Sequence, residues 1–97
     1  MLRGKQKRYL RSLAHHLDPV VMVGKNGLSE SLIQKVDEAL NSHELIKVKF
    51  VEYKNEKKKL TEDIAAETGS EVAGMIGHNA ILFRKHPEEK KRKIKLP

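Results

Sequence analysis

The sequence predicts a single α/β domain whose elements follow the order helix, strand, helix, strand, helix, strand, strand. Two observations predict this class. Apolar residues recur at helical spacing in three segments, and compact or alternating apolar runs lie between those segments. A short glycine-containing turn separates the last two strands, which predicts an antiparallel hairpin and therefore a mixed sheet. With 97 residues and no cysteine, the chain should form one modest core without disulfides.

The first predicted helix spans about residues 3–16. Its apolar side chains recur at i, i+3, i+4 and i+7 and form one stripe, made by Leu10, Leu13, Ala14 and Leu17. Four basic side chains share the opposite side, namely Lys5, Arg8, Arg11 and His15. This side is either the solvated face of an amphipathic helix or a cationic surface for a nucleic-acid backbone.

A short strand and a glycine loop follow the Asp18-Pro19 helix breaker. The apolar run Val20–Val23 predicts a buried strand. The loop has the spacing Gly-x-x-Gly, with Lys25 and Asn26 between Gly24 and Gly27. Glycine permits a tight turn and lets the backbone approach a ligand closely.

Ser29 is predicted to cap the second helix, which spans about residues 29–42. The exposed N–H groups at this helix start, with Lys25 beside them, predict a phosphate-binding corner. The alternative is a tight strand-to-helix turn without a ligand, because the spacing matches neither the dinucleotide nor the NTP-binding glycine motif.

The second strand is predicted at residues 45–53, where apolar and polar residues alternate. Lys47 and Lys49 fall on one face, about 7 Å apart along the strand. They either form the outer side of the sheet or continue a cationic surface. Leu45 and Val51 share this face, so it need not be wholly exposed.

The remaining elements are a third helix at residues 60–68, a strand at 71–76 and its hairpin partner at 80–84. Gly69 is predicted to end the third helix. We assign residues 1–86 to the domain and residues 87–97 to a basic, flexible tail. Ile94 and Leu96 could let the end of this tail dock.

The net charge of +7 is concentrated at the two ends of the chain. Residues 1–27 hold six Lys/Arg against one acid, residues 28–84 hold eight against ten, and residues 85–97 hold six against two. Such segregation favours a polyanion as the partner. No apolar run reaches membrane-spanning length, so we expect a cytoplasmic protein without a membrane partner.

The chain resembles a known family, the CRM (chloroplast RNA splicing and ribosome maturation) domain in its bacterial, single-domain, YhbY-like form. The motifs that carry the resemblance occur in the family's order: Lys5-Gln6-Lys7, Leu13-Ala14-His15, Pro19-Val20-Val21, Gly24-Lys25-Asn26-Gly27-Leu28, His43-Glu44-Leu45-Ile46-Lys47-Val48-Lys49, Glu67-Thr68-Gly69 and Ile76-Gly77. The resemblance implies a four-stranded mixed sheet packed with helices, similar to the C-terminal domain of translation initiation factor three. It also implies RNA binding and association with precursors of the large (50S) ribosomal subunit. The lysine-rich tail departs from the family pattern.

The expected RNA site combines the glycine loop with the neighbouring basic residues. Its expected members are Gly24, Lys25, Asn26, Gly27, Ser29, Lys5, Arg8, Arg11, His15, Lys47 and Lys49. Only four aromatic side chains are available, so backbone readout should dominate over base stacking.

The sequence also bears on three other function classes. No nucleophile, phosphate-transfer or metal motif is present, so we expect no catalysis, no metal and no cofactor. A protein-binding adaptor could use the acidic middle of the chain to dock a ribosomal protein or assembly factor. DNA binding is left open by charge alone, although no recognition-helix pattern stands out. We expect a monomer.

Overall fold

A computed structural model describes residues 1–97 and contains three helices and a four-stranded sheet in the predicted order. The elements are α1 (Gly4–Ala14), β1 (Val21–Val23), α2 (Glu30–His43), β2 (Leu45–Phe50), α3 (Lys57–Thr68), β3 (Glu71–Ile76) and β4 (Asn79–Phe83). Short 3-10 turns occur at Lys54–Glu56 and Glu89–Lys91. Each helix is too short or too polar to span a lipid bilayer.

The sheet has the strand order β1-β2-β4-β3 and is mixed, as predicted. β1 runs parallel to β2, with Val23 opposite Phe50, and both other pairs are antiparallel. The carboxyl ends of β1 and β2 therefore meet at the same end of the sheet as the β3–β4 turn. We call this end, defined by Val23, Phe50 and residues 77–78, the loop end.

The two faces of the sheet build two separate cores, because successive side chains of a strand point to opposite faces. Helices α2 and α3 cover one face and enclose the larger core, which includes Val36, Phe50 and Leu82. Helix α1 covers part of the other face through Leu10 and Ala14. Leu45 lies in this second core, so the face that carries Lys47 and Lys49 is partly covered.

The prediction that Val20–Val23 forms a fully buried strand is wrong for one face. The side chains of Val20 and Met22 are 50% and 60% exposed, whereas Val21 and Val23 are buried. The reason is tertiary: β1 is an edge strand, and α1 packs mainly on β3 at the opposite edge. The uncovered face of β1 therefore meets solvent.

Two other boundaries differ from the prediction by three residues, and the remaining ones by at most two. β2 ends at Phe50 because the chain turns sharply before Tyr53, which has a left-handed φ of 57°. Helix α3 begins at Lys57, three residues before the predicted start, while Gly69 ends it as predicted, with a left-handed φ of 65°.

The segment after β4 packs back onto the domain around the carboxylate of Glu44. Glu44 follows α2 with a φ of 62°, and the residue is only 1% exposed. Its carboxylate accepts backbone N–H groups of His86 at 2.8 Å, Lys93 at 2.6 Å and Ile94 at 3.1 Å. Ile94 and Leu96 pack against the second core. The flexibility of residues 87–97 stays a prediction.

Candidate nucleic-acid interface

The glycine loop lies at the solvent-exposed loop end of the sheet, directly after β1. The Gly27 N–H donates to the Gly24 carbonyl at 3.0 Å and closes a tight turn. Gly27 has a left-handed φ of 59°, which explains why glycine suits this position. Lys25 and Asn26 stand exposed at the tip of the turn.

The loop presents backbone donors that the protein itself does not use. The Ser29 hydroxyl accepts the Leu32 N–H at 3.1 Å, which confirms Ser29 as the cap of α2. The N–H groups of Lys25, Asn26 and Glu30 donate to no acceptor within the protein. Such unpaired donors at a helix start, where the helix dipole is positive, form a corner that suits an anion.

Tyr53 braces the loop from the β2–α3 connection. Its hydroxyl donates to the Lys25 carbonyl at 2.7 Å, and its ring would lie 3.5 Å from a Cβ added at Gly27. The N–H groups of Val51 and Glu52 both donate to the Val23 carbonyl. The connection and the glycine loop are therefore held together, and the loop conformation does not depend on a ligand.

Further basic groups meet at the loop end, and sequence reasoning missed most of them. The Lys57 ammonium donates to the Gly77 carbonyl at 2.9 Å and lies 3.0 Å from Nδ1 of His78. The positive charge of Lys57 lowers the pKa of His78 below its ordinary value, with smaller contributions from desolvation and from two other lysines. We call this group the sheet-end cluster; its members are Lys49, Lys54, Lys57 and His78.

The basic side chains of α1 do not all face solvent, although the helical spacing predicts that they share one side. Lys5, Arg8 and His15 are exposed. Arg11 instead reaches across the sheet, where its guanidinium donates to the Ala73 carbonyl at 2.9 Å. Its stem lies over Gly74, at which an added Cβ would come within 2.5 Å of Cδ of Arg11.

Helix α1 and the glycine loop are not joined in the structure. No hydrogen bond or ion pair links them, and α1 covers the opposite face of the sheet from α2, into which the loop leads. It stays a prediction that the RNA strand held by the loop also contacts Lys5, Arg8, Arg11 and His15.

The two lysines of β2 have different surroundings. The Lys47 ammonium donates to the Leu17 carbonyl at 2.8 Å and ties the chain after α1 to the sheet. Lys49 is exposed and lies beside Met22 of β1 in the parallel register. Lys49 is thus the member of the pair that faces solvent near the glycine loop.

Two features of the surface bear on metal binding and on other ligands. No group of three or more His, Cys, Asp or Glu side chains is arranged to hold a metal ion. The largest cavity, of about 700 Å³, is a groove between α2 and α3 that is lined by the carboxylates of Glu30, Asp37, Asp63 and Glu67. One end of this groove adjoins the glycine loop, because Leu28 and Glu30 are among its lining residues.

Comparison with known proteins agrees with this architecture. The solution structure of the hypothetical protein SAV1595 from Staphylococcus aureus superposes with a TM-score of 0.82 and 42% identity over all of both chains. Among curated relatives, an "RNA-binding protein" of Haemophilus influenzae is 46% identical over 99% of this chain and 95% of its own. The "Probable RNA-binding protein YqeI" of Bacillus subtilis is 40% identical over the full length of both. The sequence profile of the CRS1/YhbY (CRM) domain matches residues 2–84. This chain therefore belongs to the CRS1/YhbY (CRM) domain family.

Proposed function

We propose that this protein binds RNA through backbone phosphates at the glycine loop, and that its natural target is ribosomal RNA in precursors of the large (50S) ribosomal subunit. The observation that carries the proposal is the exposed, braced Gly24–Gly27 turn with unpaired N–H donors and lysines around it. The names of the relatives support RNA as the partner. We also propose that the protein assists ribosome assembly in the cytoplasm, and that it acts as a monomer.

The mechanism follows from the donors that the loop exposes. The N–H groups of Lys25 and Asn26 and the start of α2 hold phosphate oxygens, and the Lys25 ammonium adds a mobile charge. Glycine loops of this spacing hold backbone nucleotides in KH modules. The exposed basic groups of α1 and Lys49 extend the contact. The two phenylalanines lie buried in the cores, and only the tyrosines, Tyr9 and Tyr53, are exposed. Base stacking should therefore contribute little, and sequence preference should be weak.

The target is tested by crosslinking in cells followed by sequencing of the bound RNA. We expect precursors of large-subunit ribosomal RNA to dominate the reads. Scattered messenger RNA would contradict the proposed target while leaving RNA binding intact.

Salt should weaken the binding steeply. If about four to six phosphates are neutralised, the logarithm of the association constant falls with the logarithm of salt concentration at a slope of roughly −3 to −5. Fluorescence anisotropy with a labelled single-stranded RNA across a salt series measures this slope. An affinity that does not change with salt would contradict backbone binding.

Replacing Lys25 with alanine should weaken RNA binding by roughly 1 kcal/mol without changing the fold. The Lys25 side chain is exposed and forms no ion pair within the protein, so the fold does not depend on it. Lys35→Ala is the matched control, because Lys35 is an exposed lysine of α2 beyond the first turn of the helix. Equal effects of both variants would indicate only a response to net charge.

A protein-binding adaptor is the second candidate function, and the acidic groove between α2 and α3 favours it. The carboxylates of Glu30 and Glu67 form no ion pair within the protein, so a basic segment of a ribosomal protein could pair with them. Affinity capture from a ribonuclease-treated lysate separates the two functions. Partners that survive RNA digestion and are lost in a Glu30→Gln, Glu67→Gln variant would support the adaptor.

We propose no catalytic role. The relatives are named for RNA binding. Incubation with RNA and magnesium tests this point, and cleavage that disappears in a single histidine or acid variant would contradict it. Competition between matched RNA and DNA tests the choice of polymer.

A further inference from the structure

The loop end of the sheet carries a second concentration of positive charge, separate from the glycine loop. Residues of the sheet-end cluster come from β2, from the 3-10 turn that follows it, from α3 and from the β3–β4 turn. None of its lysines forms an ion pair, although Glu52 and Glu56 are near in sequence. No carboxylate of the protein therefore lies within ion-pairing distance of these lysines.

The hydrogen bonds of this region hold the cluster in a fixed place beside the glycine loop. The Phe50 N–H donates to the His78 carbonyl at 2.8 Å, which attaches the β3–β4 turn to the end of β2. The β2–α3 connection is in turn attached to the glycine loop by Tyr53. The turn and the loop are two to three strand spacings apart, about 10–14 Å. A single strand of a few nucleotides can cover this distance.

The contact between Lys57 and His78 determines which ring nitrogen is available to a ligand. An ammonium group only donates, so Nδ1 of His78 accepts and the ring is neutral with its hydrogen on Nε2. The imidazole is exposed, so Nε2–H can donate to an outside acceptor. Gly77 leaves open space around the turn, with no heavy atom within 4 Å of an added Cβ.

We propose that the β3–β4 turn is a second phosphate-binding point, at which His78 and the three lysines of the sheet-end cluster hold an RNA phosphate next to those held by the glycine loop. This proposal rests on the proposed RNA binding. Nε2–H of His78 donates to the phosphate, and the lysines that surround the ring neutralise its charge. An RNA strand then crosses the loop end of the sheet from β1 towards β3.

A bound phosphate reverses the electrostatic environment of His78. In the free protein the groups that act on the ring are Lys57 of α3, Lys54 of the 3-10 turn and Lys49 of β2, and no carboxylate offsets them. A phosphate beside the ring favours the charged imidazolium, so binding raises the pKa of His78 and takes up protons. By linkage, RNA affinity increases as the pH falls through the range between the bound and free pKa values of His78.

The test follows the His78 ring by NMR in the full chain during pH titrations, with and without a single-stranded oligouridylate. We expect the pKa of His78 to rise on binding, and we expect RNA to leave the ring signals of His43, at the opposite end of the sheet, in place. In free protein, Lys57→Gln should raise the pKa of His78, because the largest positive contribution is lost. The matched binding variants are His78→Gln, expected to reduce the increase in affinity between pH 8 and pH 6, and His43→Gln, expected to leave that increase unchanged.

Lys54→Gln supplies a readout without the histidine, because Lys54 is exposed and forms no hydrogen bond or ion pair. It should weaken binding severalfold and reduce the salt slope by about 1. One combination of results would overturn this inference alone. Oligouridylate binding would be weakened by Gly24→Asp, the pKa of His78 would not change on binding, and Lys54→Gln would have no effect on affinity. No binding of RNA by the wild-type protein would overturn the proposed function, and this inference with it.

Discussion

Replacing Glu44 with alanine is expected to lower the free energy of unfolding by about 3 kcal/mol, the largest effect on stability that we predict. The carboxylate is buried and accepts three backbone N–H groups from the segment after β4. Hydrogen bonds to a charged acceptor are the strong ones, and the three donors lose their partner together. Urea denaturation measures the loss. Hydrogen exchange should show faster exchange of the Lys93 and Ile94 amides.

Two controls accompany Glu44→Ala. Glu67→Ala removes an exposed carboxylate that forms no ion pair, and its effect should stay within about 0.5 kcal/mol. Glu44→Gln keeps one acceptor oxygen and should fall between Glu44→Ala and the wild type. A Glu44→Ala protein as stable as the Glu67→Ala protein would show that the tail contacts contribute nothing to stability.

The same carboxylate gives a pH dependence with a definite sign. Burial raises the pKa of the Glu44 carboxyl, but the backbone N–H groups of His86, Lys93 and Ile94 together outweigh it, and the pKa lies below its ordinary value. The unfolded chain therefore binds this proton more readily. The contribution is complete above the unfolded pKa of about 4.3 and is lost as the pH falls through the folded value. The stability difference between wild type and Glu44→Gln should accordingly shrink from pH 6 towards pH 3.

Gly24→Asp is expected to reduce RNA affinity at least tenfold, roughly 1.4 kcal/mol or more, while the protein stays folded. No heavy atom lies within 4 Å of a Cβ added at Gly24, and its φ is not left-handed, so the fold tolerates a side chain. The new carboxylate would accept the unpaired N–H groups of the loop and repel phosphate. Gly27→Asp is less clean, because the left-handed φ at that position adds backbone strain.

Anisotropy titrations with matched variants separate charge from shape at this position. Gly24→Asn has nearly the same size without the charge, and we expect it to lose much less affinity. Ala66→Glu adds an exposed carboxylate on α3, outside the glycine loop itself, and controls for net charge. Equal affinity of Gly24→Asp and Ala66→Glu would exclude the loop from the RNA contact.

The order of elements could be predicted because it is written in local patterns. Helical spacing located α1 and α2, and the Ser29 cap and the Gly69 end are local signals that the structure confirms. The exposure of Val20 and Met22 could not be predicted, because it depends on where α1 settles on the opposite sheet face. An apolar run alone does not show whether both sides of a strand are covered.

The candidate site was predicted where it is contiguous in sequence and missed where it is assembled by the fold. Residues 24–29 form one continuous segment, so the glycine spacing and the Ser29 cap could predict them as a candidate site. Lys57 and His78 are 21 residues apart, and only the strand order brings them within 3.0 Å. Arg11 and Lys47 look free on a helical wheel or a strand, yet backbone carbonyls distant in sequence engage both.

The return of the last segment to the domain brings the two chain termini close together. Nε2 of Gln6 donates to the Pro97 carbonyl at 3.3 Å, and Met1, Leu2 and Leu96 line one hollow beside Phe83. A short glycine-serine linker could therefore close the backbone into a ring, or new termini could be opened in a surface turn. In such circular permutants a fluorophore or a tether can be attached at the new termini in a chosen surface turn, while every strand keeps its neighbours in the sheet.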